Sequence, residues 1–99
     1  MEASLLTDEE IQSIKIKFPK WDFSEASLIR NFRFSNFIEA FGFMTKIAII
    51  ADGMGHHPEL TNSYSQLKIK LTTHDLGGIS NLDLELAKKI DNMFNDQIY

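Results

Sequence analysis

Cysteine is absent from this sequence, so disulfide bonds, thiolate metal ligands and a cysteine nucleophile are all excluded. Basic residues are too few for a typical nucleic-acid-binding surface, since ten lysines and arginines stand against fourteen acidic residues and the net charge is −4. Long apolar runs are also missing, because the strongest apolar patch, residues 47–51, is far shorter than a membrane span. We therefore expect neither a direct nucleic-acid partner nor a membrane partner.

The chain also lacks the pattern of a secretory signal, because no basic region followed by an apolar stretch opens it. No internal repeat, linker or low-complexity segment interrupts it. With 43% hydrophobic residues, it is predicted to form one soluble, cytoplasmic domain that spans residues 1–99. A chain this short buries a modest fraction of its unfolded surface, so an oligomer interface could add to its stability.

The first third of the chain reads as a helix followed by two strands. Thr7 and Glu10 have the spacing of a capping box, and Pro19 ends the helix that follows. Residues 20–23 and 28–34 are predicted strands, the second with alternating phenylalanine and polar residues. The short polar link at residues 24–26 favours an antiparallel hairpin.

A long central helix is predicted to follow, capped by Ser35 or Asn36 and terminated by Gly53 and Gly55. Apolar residues recur along it at steps of three and four, which predicts one broad apolar stripe. This stripe would lie in the core or against a second subunit, and it contains Phe37, Ala40, Phe41, Met44, Ile47, Ala48 and Ala51.

The last third predicts two more strands, at residues 60–65 and 66–73, and a final helix capped by Ser80 and Asp83. The order is therefore α-β-β-α-β-β-α. Two hairpins around a central helix predict an α+β fold in two layers, with a four-stranded antiparallel sheet and three helices packed on one face.

All three histidines, His56, His57 and His74, lie in the second half of the chain, close to four carboxylates at Asp52, Glu59, Asp75 and Asp83. Imidazole is the one side chain whose charge normally changes near neutral pH, so this group is a candidate proton-handling site. The simpler alternative is three unrelated surface histidines. Pairing of the last two strands would bring the two histidine segments together if the third strand starts near the end of the fourth.

Other chemistries fit the sequence less well. Adjacent residues such as His56 and His57 point apart, so they cannot easily bind one metal ion, and we predict no metal site. No serine lies in a G-x-S-x-G context, and the Gly53-Met-Gly55 segment ends a helix instead of opening one, which argues against a nucleophile elbow and a phosphate loop. General acid–base catalysis without a covalent intermediate remains.

The histidine motif resembles that of the pterin-4a-carbinolamine dehydratase family. It consists of His56-His57-Pro58, five residues, Tyr64, nine residues, His74, eight residues and Asp83. The surrounding sequence from residue 73 to residue 83, Thr-His-Asp-Leu-Gly-Gly-Ile-Ser-Asn-Leu-Asp, is similar as well, and the likeness extends from about residue 5 to residue 94. The family fold is the two-layer α+β arrangement predicted above.

The resemblance implies dehydration of a 4a-hydroxytetrahydropterin to the quinonoid dihydropterin, with the pterin as substrate and no cofactor. By position, His56 and His74 would be the acid–base pair around the 4a hydroxyl, and His57 would orient the ring. Asp52 stands where the family usually has Glu, and Leu60 stands where the animal proteins have Trp. The remaining residues that this likeness places around the substrate are Pro58, Glu59, Thr73, Asp75 and Asp83.

Some of these residues also have purely structural interpretations. Asp83 could serve as a helix cap, Pro58 could stop the chain from re-entering a helix, and Tyr64 and Thr73 could pack on a sheet face. The resemblance implies a homodimer or homotetramer. It also leaves open a second role, a protein-interaction module such as a transcriptional coactivator or assembly chaperone, whose partner the sequence does not name.

Overall fold

The order of elements in the computed structural model, which describes residues 2–24 and 26–96, is the predicted α-β-β-α-β-β-α. A short 3₁₀ turn, His74–Leu76, is added before the last helix. The predicted link between the first two strands contains Glu25, which lies outside the described residues. The bounds are α1 Asp8–Lys17, β1 Asp22–Ser24, β2 Ser27–Arg33, α2 Phe37–Met54, β3 Glu59–Ser63, β4 Gln66–Leu71 and α3 Asn81–Asn95.

The strands form one antiparallel sheet in the order β1-β2-β4-β3, and the helices cover one of its faces. Alternation along β4 sends Leu67, Ile69 and Leu71 to the helical side, where each is at most 1% exposed. Pairing of Leu28 with Leu71 and of Phe32 with Leu67 continues this apolar layer onto β2. The predicted two-layer α+β class is therefore confirmed.

Helix α2 has a different buried face from the predicted stripe. Its buried residues are Ala40, Phe43, Ile47 and Ala51, with Met44, Ile50 and Met54 packed at the edge of the core. Three members of the predicted stripe, Phe37, Phe41 and Ala48, are exposed and lie outside the core of the single chain, so for them the position against a second subunit stays a prediction. Helix α2 is apolar around much of its circumference, so its own periodicity could not identify which side meets the sheet.

Strand ends also differ from prediction. The third strand stops at Ser63, because Tyr64 takes a positive φ of 53° in the turn to β4. The Asn62 amide stabilises this turn by donating to the carbonyl oxygens of Tyr64 and Gln66 at 3.2 and 2.8 Å. Tyr64 is consequently 68% exposed and does not pack on a sheet face.

The helical face of β2 carries a partly buried charge, Arg30, whose side chain is 11% exposed. Its guanidinium bonds the Asp91 carboxylate of α3 at 2.5 Å and lies over the rings of Phe32 and Phe94 at 4.2 and 5.3 Å. The Trp21 indole N–H donates to the same carboxylate oxygen at 2.8 Å. This cluster links the segment before β1, strand β2 and α3.

Among the described residues, no helix has the length and apolar character needed to cross a bilayer.

Candidate active site

His56 follows α2 directly and is held by the way that helix ends. Gly55 adopts a left-handed conformation with φ 66°, which glycine reaches without the steric cost that other residues bear. The backbone N–H of His56 then donates to the Ala51 carbonyl at 3.1 Å. The side chain reaches the first turn of α3, where its Nε2 lies 2.5 Å from Asp83 Oδ1.

Asp83 is fully buried and lies at the centre of a hydrogen-bond network. Its Oδ2 accepts from the Ser80 backbone N–H at 2.9 Å, which completes the predicted capping box of α3, and from the Thr73 hydroxyl at 2.8 Å. The Thr73 and Ser80 hydroxyl oxygens are 2.6 Å apart. Asp83 therefore caps its helix, as one interpretation predicted, and contacts His56 as well.

His74 comes from the other segment, at the start of the 3₁₀ turn. Thr73 leaves β4 and pairs with Gly78, its backbone N–H donating to the Gly78 carbonyl at 2.9 Å. The turn closes at Gly77, whose φ is 72°. In this short 3₁₀ turn the His74 side chain is exposed.

Antiparallel pairing of β3 and β4 brings the two histidine segments together. Glu59, at the start of β3, pairs with Lys70, near the end of β4, which is the condition set from the sequence for this convergence. A cleft of about 220 Å³ lies between the segments, and all three histidines border it. Its lining consists of Gly55, His56, His57, Thr72, Thr73, His74 and Asp75.

Five of the ten predicted site residues thus border this cleft, and the other five do not line it. Asp83 is behind His56, and Asp52 is on the outer side, with Oδ1 3.2 Å from His57 Nε2. The remaining three, Pro58, Glu59 and Leu60, lead into or occupy β3, and Leu60 packs against the core.

Two lining residues, Gly55 and Thr72, were not predicted as site residues. Gly55 was predicted to end a helix, and Thr72 only to lie within the strand at residues 66–73. Whether these two residues lie near the histidines depends on the register in which β3 and β4 pair. The type of a single residue does not reveal that register. Thr72 and His74 also border a second cleft of about 240 Å³, which adjoins the first and includes Lys70.

The His57–Asp52 pair contrasts with the His56–Asp83 pair in exposure. The side chains of His57 and Asp52 are 68% and 85% exposed, whereas those of His56 and Asp83 are 10% and 0% exposed. Water screens the first pair and leaves its geometry adjustable, while packing fixes the second. Within residues 2–24 and 26–96, no three histidine or carboxylate side chains are grouped as ligands of a metal ion.

The fold and the cleft define a small α+β protein with a histidine-lined site, suited to moving protons on a compact ligand. The sequence model of the family described as Pterin 4 alpha carbinolamine dehydratase matches residues 4–93. This match covers most of the chain, and the chain belongs to that family.

Individual relatives agree with this assignment. A protein of Prochlorococcus marinus, provisionally named a pterin-4-alpha-carbinolamine dehydratase, is 56% identical over 91 residues, which are 92% of this chain and 95% of the relative. The crystal structure of a transcriptional coactivator/pterin dehydratase from Brucella melitensis matches with a TM-score of 0.85 and 32% identity, covering 91% of this chain and 98% of that one.

A more distant structure shares the fold. A pterin dehydratase-like protein, described as a RuBisCO assembly factor in the alpha-carboxysome, matches with a TM-score of 0.60 and 19% identity. The match covers 74% of this chain and 84% of that chain.

Proposed function

We propose that this protein dehydrates a 4a-hydroxytetrahydropterin, also called a pterin-4a-carbinolamine, to the quinonoid dihydropterin and water. The bond between C4a and the hydroxyl oxygen breaks, and the oxygen leaves as water after gaining a proton. The neighbouring ring nitrogen loses a proton, and a carbon–nitrogen double bond forms. No electrons are gained or lost overall, so the proposal needs acid–base groups and no cofactor.

The observation that carries this proposal is the convergence of His56, His57 and His74 on one cleft in a member of this family. Imidazole can donate or accept a proton near neutral pH, and the reaction needs one group of each kind. The cleft volume of about 220 Å³ is below the range typical of drug-sized ligands, which favours a compact ligand.

We assign His56 and His74 to proton transfer, because they face the cleft from its two different segments. One imidazole would protonate the leaving hydroxyl while the other accepts the ring proton. His57, exposed and adjustable, would orient the ring. The further contacts proposed for the substrate are Thr73 and Asp75 of the lining and, on the family resemblance alone, Asp52, Pro58, Glu59 and Leu60.

Stopped-flow absorbance tests the activity directly. Decay of freshly formed 4a-carbinolamine should accelerate in proportion to the concentration of the wild-type protein. Decay that stays at the buffer rate, even with protein equimolar to the pterin, would contradict the proposed activity.

Substituting Asp52 by alanine is expected to have a small effect, because its contact with His57 is exposed. The free energy of unfolding should stay within about 0.5 kcal/mol of wild type, as for most surface substitutions. If Asp52 steadies His57 for ring binding, KM should rise about threefold while kcat stays near wild type. Urea unfolding and steady-state kinetics measure both, and Asp52→Glu is the matched control that retains the carboxylate. A large loss of kcat in Asp52→Ala would contradict this role.

We propose that the protein acts in the cytoplasm as a homodimer or homotetramer. One side of α2 supports this assembly, because it exposes several large apolar residues. We call it the outer face of α2; its members Phe37, Ile38, Phe41 and Ile49 are 46, 81, 48 and 68% exposed. A second copy that covered this face would bury apolar area that one chain leaves in water.

Light scattering after size exclusion tests this assembly. We expect wild type to elute as a multiple of the 11.4 kDa chain mass and the double substitution Phe41→Glu with Ile49→Glu to elute as a monomer. Ile16→Glu on α1 is the matched control, since Ile16 is 82% exposed but lies on another helix, and it should leave the assembly unchanged. A monomeric wild type at tens of micromolar concentration would contradict the proposed interface.

An interaction module is the second candidate function. The outer face of α2 favours it, and so do the coactivator and assembly-factor descriptions that two structural relatives carry. In that case a stoichiometric partner would bind equally well after all three histidines are replaced by alanine, and pterin turnover would be absent. Turnover that disappears with the histidines supports the enzyme instead.

A further inference from the structure

We propose that Asp83 is a positioning residue: it holds His56 in the tautomer with a proton on Nε2 and thereby leaves Nδ1 to exchange protons in the cleft. This inference rests on the proposed dehydratase function and deepens it. It assigns to Asp83 an action through His56 instead of the direct substrate contact that the family resemblance implied.

The first step concerns the donors around the carboxylate. Oδ2 already accepts from the Ser80 backbone N–H and from the Thr73 hydroxyl. The Thr73 hydroxyl has one proton, which it gives to the carboxylate, so its oxygen accepts from the Ser80 hydroxyl 2.6 Å away. The Ser80 hydroxyl oxygen in turn accepts from the Leu82 backbone N–H at 3.1 Å. The Ser80 hydroxyl therefore donates to the Thr73 hydroxyl, which donates to the Asp83 carboxylate.

The second step concerns the remaining oxygen, Oδ1, which faces His56 Nε2 at 2.5 Å. Two donors directed at Oδ2 suit the ionised carboxylate, and the Oδ1 of an ionised carboxylate can only accept a hydrogen bond. Nε2 must therefore carry a proton. In neutral imidazole the second nitrogen, Nδ1, is then the one with a free lone pair.

The third step concerns burial and access. Asp83 is fully buried, and the side chain of His56 keeps 10% of its surface exposed where it borders the cleft. Within the described residues, the bond to Asp83 is the one hydrogen bond of the His56 ring. Nδ1 is thus the ring nitrogen available to a ligand. The hydrogen bond at Nε2 also keeps the imidazole ring from rotating out of this orientation.

Asp83→Asn tests this inference with little change in shape. The asparagine oxygen must take the place of Oδ2, because two donors face it there. The amide NH₂ then faces His56 Nε2, and two donors cannot pair. His56 is expected to switch to the tautomer with its proton on Nδ1, which makes the nitrogen available to the cleft a donor instead of an acceptor.

Two measurements follow, on the full chain. Nitrogen-15 NMR of the neutral His56 ring should show the proton on Nε2 in wild type and on Nδ1 in Asp83→Asn. Steady-state kinetics should show kcat reduced by about 10²–10⁴-fold, the usual contribution of a correctly placed acid or base, with KM within a few-fold of wild type. Ser80→Ala is the structural control. It weakens the same helix cap but leaves Asp83 facing His56, so it should keep the wild-type tautomer and most of kcat.

The outcomes separate this inference from the proposed function. A wild-type ring protonated on Nδ1, or a Ser80→Ala protein as impaired in kcat as Asp83→Asn, would overturn the positioning role. This holds even if the protein is an active dehydratase. A wild-type protein without activity would remove the dehydratase proposal, while the NMR result would still decide which nitrogen Asp83 holds. The wild-type spectrum gives this decision even if Asp83→Asn fails to fold.

Discussion

Replacing His74 by alanine is expected to lower kcat for 4a-carbinolamine dehydration by about 10²–10⁴-fold, the range that a general acid or base typically contributes. His74 borders the cleft from the 3₁₀ turn, opposite the His56 and His57 segment. Its side chain is exposed, so its removal leaves no buried group without a partner. The loss should therefore appear in catalysis and not in stability.

His74 is a cleaner target than His56 for this reason. His56→Ala would leave the fully buried Asp83 carboxylate without its ring partner, so a loss of activity could reflect damage to the fold. Stopped-flow decay of the carbinolamine measures the effect of His74→Ala, and thermal unfolding verifies that the fold is intact. Leu76→Ala is the matched control, because it changes the same turn at a residue that does not line the cleft. If the His74 and Leu76 variants are equally active, His74 has no part in proton transfer.

Local signals predicted the elements of this fold well, because each depends on residues close in the chain. The capping boxes at Thr7 and at Ser80 with Asp83 are both present, and Asn36 caps α2. Gly55 ends α2 in the left-handed conformation for which glycine is suited. The predicted strand at residues 66–73 likewise contains the observed β4, Gln66–Leu71.

Tertiary contacts were much harder to predict. Nothing within α2 distinguishes Phe43, which is buried, from Phe41, which is exposed, because that choice depends on which side meets the sheet. Arg30 occupies an inward position that its residue type would not suggest, since its partner Asp91 lies on a distant helix. The same limit applies at the cleft. Asp83 was recognised as a cap, but its contact with His56 joins residues 27 positions apart.

Replacing Asp91 by alanine is expected to reduce the free energy of unfolding by about 3 kcal/mol, near the lower end of the range for breaking a buried ion pair. The variant would leave the Arg30 guanidinium without its carboxylate partner on the helical side of β2, where the Arg30 side chain is 11% exposed. It would also leave the Trp21 indole N–H without the acceptor that it has at 2.8 Å. Contact with the rings of Phe32 and Phe94 would offset part of the loss, because cations are attracted to aromatic faces.

Such a loss is a large share of the stability of a small domain, and it should lower Tm by about 12 °C or more. Urea unfolding at constant m-value measures it. Asp91→Asn keeps an acceptor for Trp21 and Arg30 but removes the charge, so it should fall between wild type and alanine. Asp96→Ala is the matched control: this exposed acid is the C-cap of the same helix, where the helix dipole disfavours negative charge, so its loss should cost nothing. An Asp91→Ala protein as stable as the Asp96 control would mean that the cluster of Trp21, Arg30 and Asp91 does not hold α3 to the sheet.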